Sequence, residues 1–360
     1  MFRLIASLVS FFLLSGCAVL IRSPAFDVEP VPGQYPVRGA FHVHSDYSGD
    51  SKISLKSILR MAERADLDFV VVTDHNTLEG LEAYRTGNYP SYPLLVFGNE
   101  HSRVEGHLIT FGVNEEPPAG LSTQALIDWA HQEGGYAILA HPYSSRKPWT
   151  DWSLAGFDGL EVYNFGHEVY RENKFALSAK ALLLPPRSFL NAVYETPSES
   201  LSEWRGKWKE TRAKIYGASD AHLHWKRFGI VPENFLMYFH AVTMYVWVDE
   251  LTAEQVSRSL GEGRSFMAIE PRGVARDFSF TAQSSGKTFF PGDILSNGGE
   301  IRFSVKTPRK AQIRIYRDAD LVEQAEGTEL VFQTNSRGAY HVEVYRGGEL
   351  WILTNPIDVR

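Results

Sequence analysis

At 360 residues the chain has room for one large domain of roughly 200–250 residues and a smaller one. Its 44% hydrophobic and 22% charged residues are those of a soluble globular protein with a substantial core. A formal net charge of −7 argues against nucleic acid as a stable partner.

Residues 1–16 read as a targeting segment. Arg3 supplies a short positive region, and Leu4 to Leu14 is an apolar stretch too short for a comfortable membrane span. Leu14-Ser15-Gly16-Cys17 then resembles the lipobox of bacterial lipoproteins, with Cys17 as the acylated residue. Cys17 is the sole cysteine, so no internal disulfide can form. Ala18 rather than Asp follows it, which directs the expectation to an outer-membrane lipoprotein of the cell envelope facing the periplasm. Residues 17–37, with four prolines between Ile21 and Pro36, read as a tether.

Ala40 to His44 is expected to be a short strand running into the polar loop Ser45 to Asp50. Alternation along a strand puts His42 and His44 on one face and Phe41 and Val43 on the other. Two imidazoles with Asp50 six residues on suit a divalent metal, although His-x-His alone is equally compatible with two surface histidines on an edge strand. Ser54 can cap a helix with Leu55, Ile58, Leu59 and Ala62 on its buried face. Asp68 to Thr73 follows as a buried parallel-type strand leading to Asp74-His75. Leu94 to Gly98 is a strand ending in Asn99-Glu100, and His107 to Val113 is another. A helix from Ser122 through Ala130 closes at Gly134-Gly135. Tyr136 to Ala140 ends at His141-Pro142, Gly159 to Asn164 is strand-like, and Lys214 to Gly217 leads into Ser219-Asp220-Ala221-His222.

This β-α-β-α alternation predicts a parallel sheet or barrel, and four strands end in His44, Asp74-His75, Glu100 and His141. Chemistry in barrels collects at such strand ends. Residues 165–212 read as a helical insertion broken by Pro185-Pro186 and Pro197, with Trp204 and Trp208 as packing residues. His240 to Val248 is a further strand, followed by a helix from Thr252 to Leu260 ending at Gly261. From residue 273 on, short alternating strands separated by turns (Phe278–Phe280, Ile301–Val305, Gln312–Tyr316, Tyr340–Val344, Trp351–Leu353) predict a small antiparallel β-sandwich domain, Ig-like in texture.

His42-Val43-His44 with Asp50, Thr73-Asp74-His75, Glu100, His107, His141-Pro142 and Ser219-Asp220-Ala221-His222 together resemble the polymerase and histidinol phosphatase (PHP) domain over residues 38–272. Within that superfamily the chain looks most like the branch that includes carbamate hydrolases. The resemblance implies an α/β fold, a distorted seven-stranded (β/α) barrel, holding two or three divalent metal ions (Zn, Mn or Fe). It implies one ion on His42, His44, Glu100 and Asp220, with Glu100 bridging to a second on His107 and His141, and a third on Asp50, His75 and His222. The implied activity is hydrolysis of a phosphomonoester or phosphodiester by a metal-bridging hydroxide.

Beside these ligands, Asp74 is either a ligand or an orienting neighbour, and His107 could simply begin its strand. Glu161, with Tyr163 and Asn164, could line the pocket, cap a helix or belong to the barrel rim. His101, His167 and His224 are candidate proton donors. Arg103, Arg146, Lys147, Lys226 and Arg227 could form a cationic rim for a small anionic ester substrate. Two other readings remain open. The same cluster could cleave a carbamate, ester or amide, with Trp149, Trp152, Tyr163 and Phe165 lining an apolar pocket. The chain could also be a non-enzymatic, metal-stabilised binding protein of the envelope.

Overall fold

Val70, Val71 and Val72 are consecutive β-branched residues and all are buried, so their strand needs cover on both faces. In the computed structural model, which describes residues 36–171, 173–224, 235–296 and 299–360, that strand belongs to a mixed α/β fold with a large β-rich sheet. Strands β1 (Val37–Val43), β2 (Phe69–His75) and β3 (Leu94–Ser102) are parallel neighbours. β4 (His107–Phe111) is antiparallel to both β3 and β5 (Tyr136–Ala140), whereas β5, β6 (Gly159–Asn164) and β7 (Lys214–Ala218) are parallel. The purely parallel order expected from the alternation therefore fails at β4. Arg103 to Gly106 is a hairpin-sized connection, too short for the crossover that a parallel neighbour needs.

Beyond β7 the chain bonds back to β1. Ser219 N donates to Phe41 O at 2.9 Å, Ala221 N to His42 O at 3.3 Å, and His44 N to Ala221 O at 3.1 Å. The ladder of seven strands thus returns to its first member, and the segment carrying Asp220 and His222 lies against the segment carrying His42 and His44.

Helix Leu55–Arg64 buries Leu55, Ile58, Leu59, Met61 and Ala62, as its spacing predicts. Ser122 and Thr252 cap their helices, accepting from Ala125 N and Gln255 N at 3.2 Å each. The second of these helices runs through Gly261 to Glu262 and stops at Gly263, which has φ +79°; Gly261 is interior, against the ring of Tyr136. Helix Glu79–Thr86 gave no periodic signal, since Gly80 is its one buried residue. Helices Phe165–Arg171, Lys174–Leu183, Pro186–Val193 and Ser198–Thr211 fill the stretch between β6 and β7, with Trp204 and Trp208 buried.

β8 (Val242–Val246) lies antiparallel to β1, and β9 (Ser265–Ile269) antiparallel to β8. Their alternating side chains serve two cores. Val242, Met244, Val246, Met267 and Ile269 join the core around the seven strands, while Tyr245, Trp247, Phe266 and Ala268 join the core of the C-terminal sheet. That sheet comprises β10 (Ser279–Ser284), β11 (Lys287–Phe289), β12 (Ile294–Leu295), β13 (Ile301–Arg317), β14 (Asp320–Thr334), β15 (Gly338–Arg346), β16 (Glu349–Thr354) and β17 (Ile357–Val359). β16 pairs with β9, so hydrogen bonding is continuous between the two regions. The runs expected as two strands at Ile301–Val305 and Gln312–Tyr316 form one strand with an irregularity between Lys306 and Ala311. Positions 1–35, with Cys17 and nearly all of the tether, lie outside the described residues, as do Lys226 and Arg227.

Candidate metal centre

Glu100 is the hub. It sits near the end of β3, buried, and its two oxygens face five histidines from four other strand ends. Oε1 lies 2.7 Å from His107 Nδ1 and 3.1 Å from His141 Nε2. Oε2 lies 3.1 Å from His42 Nε2, 3.2 Å from His44 Nε2 and 3.4 Å from His75 Nδ1. Asp220 Oδ1 adds His42 and His44 Nε2 at 3.5 Å and His222 Nδ1 at 3.4 Å. Asp50 Oδ2, half exposed at the mouth, meets His222 Nε2 at 3.0 Å and His75 Nε2 at 3.3 Å. His42 and His44 converge, with their Nε2 atoms 3.0 Å apart, but not by regular alternation: His42 has φ +64°, the pairing of β1 with β2 shifts register between Ala40 and Val43, and Phe41 and Val43 join different cores.

Such crowding is held by strain. His42, His141 and Asp220 have φ of +64°, +31° and +47°, three of the eight non-glycine residues with positive φ among those described. Backbone conformations of this kind cost of order 1–3 kcal/mol each and persist where the surroundings over-determine them.

The electrostatics have one sense. Burial opposes ionisation of Glu100, but His42 and the contacts with His107 and His141 hold its carboxyl well below the usual range. Asp220 is likewise lowered, with burial outweighed by His42, His44 and His222. Burial also works against protonation of His42, yet Glu161 and Glu100 raise it well above the ordinary imidazole value. His222 is raised to about 9 against burial, chiefly by Asp50. The carboxylates thus impose a demand for positive charge that protons on imidazole meet. Divalent cations would meet it equally well, and the donor set of imidazole nitrogens and carboxylate oxygens suits Zn²⁺, Mn²⁺ or Fe²⁺. The Nδ1 of His141 is buried with no hydrogen-bond partner among the described residues. Donor atoms converge within 4.8 Å in four overlapping groups: His44, Asp50, His75 and His222; His42, His44 and Asp220; His75, Glu100 and His107; His141, His167 and Asp220.

Two residues expected to act in catalysis lie elsewhere. His101 is buried on the face of β3 opposite Glu100, with Nε2 at 2.8 Å from Thr110 Oγ1, and burial followed by Arg103 lowers it to about 4. Arg103 turns to the start of the helix at Thr123, donating from Nε to Thr123 Oγ1 at 3.2 Å and from Nη2 to Leu121 O at 2.5 Å, and so is not part of a cationic rim. Asp74 directs both oxygens to Ser45, accepting from its N and Oγ at 2.6 Å each, and fixes the loop after β1. His224 stays at the edge, its ring stacked on His222 at 5.7 Å and Nδ1 3.3 Å from Asp50 O. Trp149, Tyr163 and Phe165 are buried in the main core, and Trp152 packs on Tyr143 beneath Lys207, so among the described residues these rings serve packing.

Glu161 does more than the sequence reading assigned. Its Oε1 is 2.6 Å from His42 Nδ1, and its Oε2 accepts from His141 N at 2.7 Å and Asn164 Nδ2 at 2.8 Å. It therefore orients one cluster histidine and the backbone of another. The available signal was a lone charge inside the apolar run Gly159 to Tyr163, since a buried carboxylate needs partners.

Fold and cluster together define a class: an α/β protein with a histidine–carboxylate cluster at its strand ends whose donor atoms could hold metal. The PHP domain family model matches residues 40–95. An uncharacterized protein of Methanocaldococcus jannaschii is 32% identical over 165 residues, covering 42% of this chain and 96% of the relative. The chain therefore carries a PHP domain. Among solved structures, a two-domain Bacteroides vulgatus protein described as containing a predicted PHP-like metal-dependent phosphoesterase has a TM-score of 0.47 at 14% identity, covering 92% of this chain and 97% of that one. An amidohydrolase from Chromobacterium violaceum has a TM-score of 0.28 at 17% identity, covering 40% and 83%.

Proposed function

We propose that the chain is a metal-dependent hydrolase of the PHP type that acts on small phosphate esters. The observation carrying this reading is that His42, His44, His75, His107 and His141 all lie within 3.4 Å of the two Glu100 oxygens. In this reading His42, His44, Glu100 and Asp220 hold one cation, Glu100 with His107 and His141 a second, and Asp50, His75 and His222 a third. The chemistry such ions supply when bound is activation of water at neutral pH and neutralisation of charge on the phosphoryl group. Glu161 keeps Nε2 of His42 directed at the cluster, and Asp74 holds the loop beside it through Ser45. Arg146 and Lys147, exposed on the loop after His141-Pro142, supply positive charge for an anionic substrate.

In the same reading β1–β7 form the distorted (β/α) barrel of the family, residues 273–360 form an Ig-like antiparallel sandwich, and Cys17 is lipidated at the outer membrane facing the periplasm. Mass spectrometry of the membrane fraction tests the lipid; an unmodified Cys17 there removes that part of the reading.

The catalytic reading is tested by metal analysis together with turnover of a phosphomonoester, a phosphodiester and an aryl carbamate. Turnover of a phosphate ester that is lost on chelation and in His42→Ala is expected. Carbamate turnover alone would transfer the chemistry to a carbonyl centre, and full metal occupancy with no hydrolysis would leave a binding protein.

A further inference from the structure

Asp220 uses its two oxygens differently. Oδ1 faces His42, His44 and His222, whereas Oδ2 faces His167 Nε2 at 3.4 Å. The ring of His167 lies 4.1 Å from that of His141. Its donor atoms converge with those of His141 and Asp220, so by position His167 could serve as another metal ligand. Hydrogen-bond accounting decides otherwise. Ser144 Oγ lies 2.5 Å from His167 Nδ1 and also accepts from Arg146 N at 3.1 Å and Lys147 N at 3.3 Å. A hydroxyl has two acceptor lone pairs and one proton. With both lone pairs directed at backbone donors, the proton of Ser144 goes to Nδ1 of His167. Nδ1 is then an acceptor, and the ring proton resides on Nε2, facing Asp220. A nitrogen that carries a proton is a donor and not a ligand.

The local backbone serves this contact. Gly166 lies directly on Asp220: a Cβ at position 166 would stand 2.9 Å from Asp220 O and 3.0 Å from its Cβ. His167 N donates to Asn164 Oδ1 at 3.0 Å, and Asn164 Nδ2 donates to Glu161 Oε2 at 2.8 Å. The carboxylate behind His42 and the imidazole behind Asp220 thus belong to one hydrogen-bonded turn, Glu161 to His167.

We propose that Ser144 and His167 are positioning residues for Asp220: the Ser144 hydroxyl locks His167 as the Nε2–H tautomer, and that N–H holds Oδ2 so that Oδ1 is the oxygen turned to the metal cluster. The part of this proposal that concerns metal rests on the reading of the cluster as a metal centre; the tautomer does not.

The test has two readouts on the full chain. Long-range proton–nitrogen NMR of the imidazoles, without metal and with Zn²⁺, reads the His167 tautomer. Calorimetry reads Zn²⁺ affinity. The wild type is expected to show His167 protonated at Nε2 in both states, and Ser144→Ala to show a mixture of tautomers, while Ser144→Thr, which keeps the hydroxyl, behaves as wild type. Removing an orienting partner of this kind typically weakens metal binding by about 10–100-fold. His167→Ala and Ser144→Ala are expected in that range, with His167→Gln, whose amide N–H stands near the Nε2 position, restoring most of the loss. Protonation at Nδ1, direct ligation of His167 to Zn²⁺, or unchanged affinity in His167→Ala would overturn the proposal. Should the wild type take up no metal, the metal-centre reading falls, and the Ser144→Ala spectrum still judges the tautomer lock.

Discussion

Arg38 and His42 stand four residues apart on one strand, and the buried polar clusters they belong to are built on opposite principles. At the start of β1, Arg38 donates from Nε to Glu270 Oε1 at 3.2 Å and from Nη1 to the carbonyls of Ala65 and Asp66 at 2.8 and 2.9 Å. Glu270 Oε1 also accepts from Thr243 Oγ1 at 2.6 Å and Tyr245 OH at 2.9 Å. Every charge there faces a group of complementary sense, and Glu270 outweighs burial to push the guanidinium above its ordinary range. At the far end of the strand, five imidazoles crowd one carboxylate, the rings of His44 and His222 stack at 4.0 Å, and three backbones sit at positive φ. A self-satisfied network holds a fold together. A crowded, strained one is arranged for something the polypeptide does not itself contain.

This contrast can be broken first on the structural side. Arg38→Met removes the counter-charge and leaves Glu270 buried, a change that typically costs about 3–5 kcal/mol. Chemical denaturation of the metal-free chain should show that loss. Restoring most of it with Arg38→Met combined with Glu270→Leu would show that the penalty belongs to the orphaned charge. A loss below about 1 kcal/mol would mean that the Arg38 cluster contributes little to folding.

The opposite outcome is expected for Glu100→Gln. Metal affinity should fall at least about a hundredfold, at or beyond the upper end of what orienting neighbours contribute, and ester turnover should fall with it. The metal-free chain should unfold at the same denaturant concentration as wild type, or higher, because strained functional sites are commonly stabilised by such substitutions. Calorimetry and denaturation on one preparation give both numbers. Strong destabilisation of the metal-free form would erase the distinction between the clusters.

The same contrast explains what could be read from the sequence. Histidines and carboxylates at strand ends are visible because the strands are apolar on both faces and stop abruptly at polar residues, as at Ala140-His141. Sequence and structure part over strand length and direction. Ending the third strand at Gly98 left His101 free to be placed beside Glu100, whereas β3 continues to Ser102 and its period of two sends adjacent residues to opposite faces. The four-residue link to His107 similarly implied a hairpin. Strand β14 is not legible in the sequence because its side chains are mostly exposed and Glu323, Glu326 and Glu329 interrupt any apolar alternation. The lone charge of Glu161 in an apolar run marks a residue that needs partners, but its contacts with His42 and His141, and that of His167 with Ser144, join residues 20 or more apart, so the partners themselves are not legible locally.

A third buried cluster tests the contrast by pH. Glu343 contacts His341 Nε2 at 3.2 Å, accepts from Tyr345 OH at 2.7 Å and pairs with Arg205 of helix Ser198–Thr211, fastening that helix to β15. Burial above all lowers His341, so the folded form keeps it neutral where the unfolded chain would take up a proton, at about pH 6.5. Stability from this group is therefore lost as pH falls below that value. Glu343 is lowered by His341 and Arg205 against burial, so its contribution is present above the ordinary carboxylate range and is lost on further acidification. Both act in one direction. The stability of wild type relative to His341→Phe should shrink steadily from pH 7 to pH 5. A constant difference would show that His341 takes no part in acid sensitivity.

The smallest effect on the cluster should come from Arg103→Ala, and its smallness is informative. Arg103 lies two residues beyond His101 on the loop between β3 and β4, close in sequence to Glu100 and His107. Its hydrogen bonds run to Thr123 and Leu121, away from the cluster. Losing them should cost about 1.5–3 kcal/mol of stability, the usual net worth of a hydrogen bond to a charged group. Metal affinity and the KM for a phosphate ester should remain at wild-type values, because the guanidinium is engaged with Thr123 and Leu121. Lys147→Ala provides the matched control: it removes one positive charge from the loop after His141-Pro142, and a rise in KM that fades with added salt is expected if that loop attracts the anionic substrate. If Arg103→Ala instead raises KM and Lys147→Ala does not, the positive charge that substrate meets comes from the β3–β4 loop, and that loop must move when substrate binds.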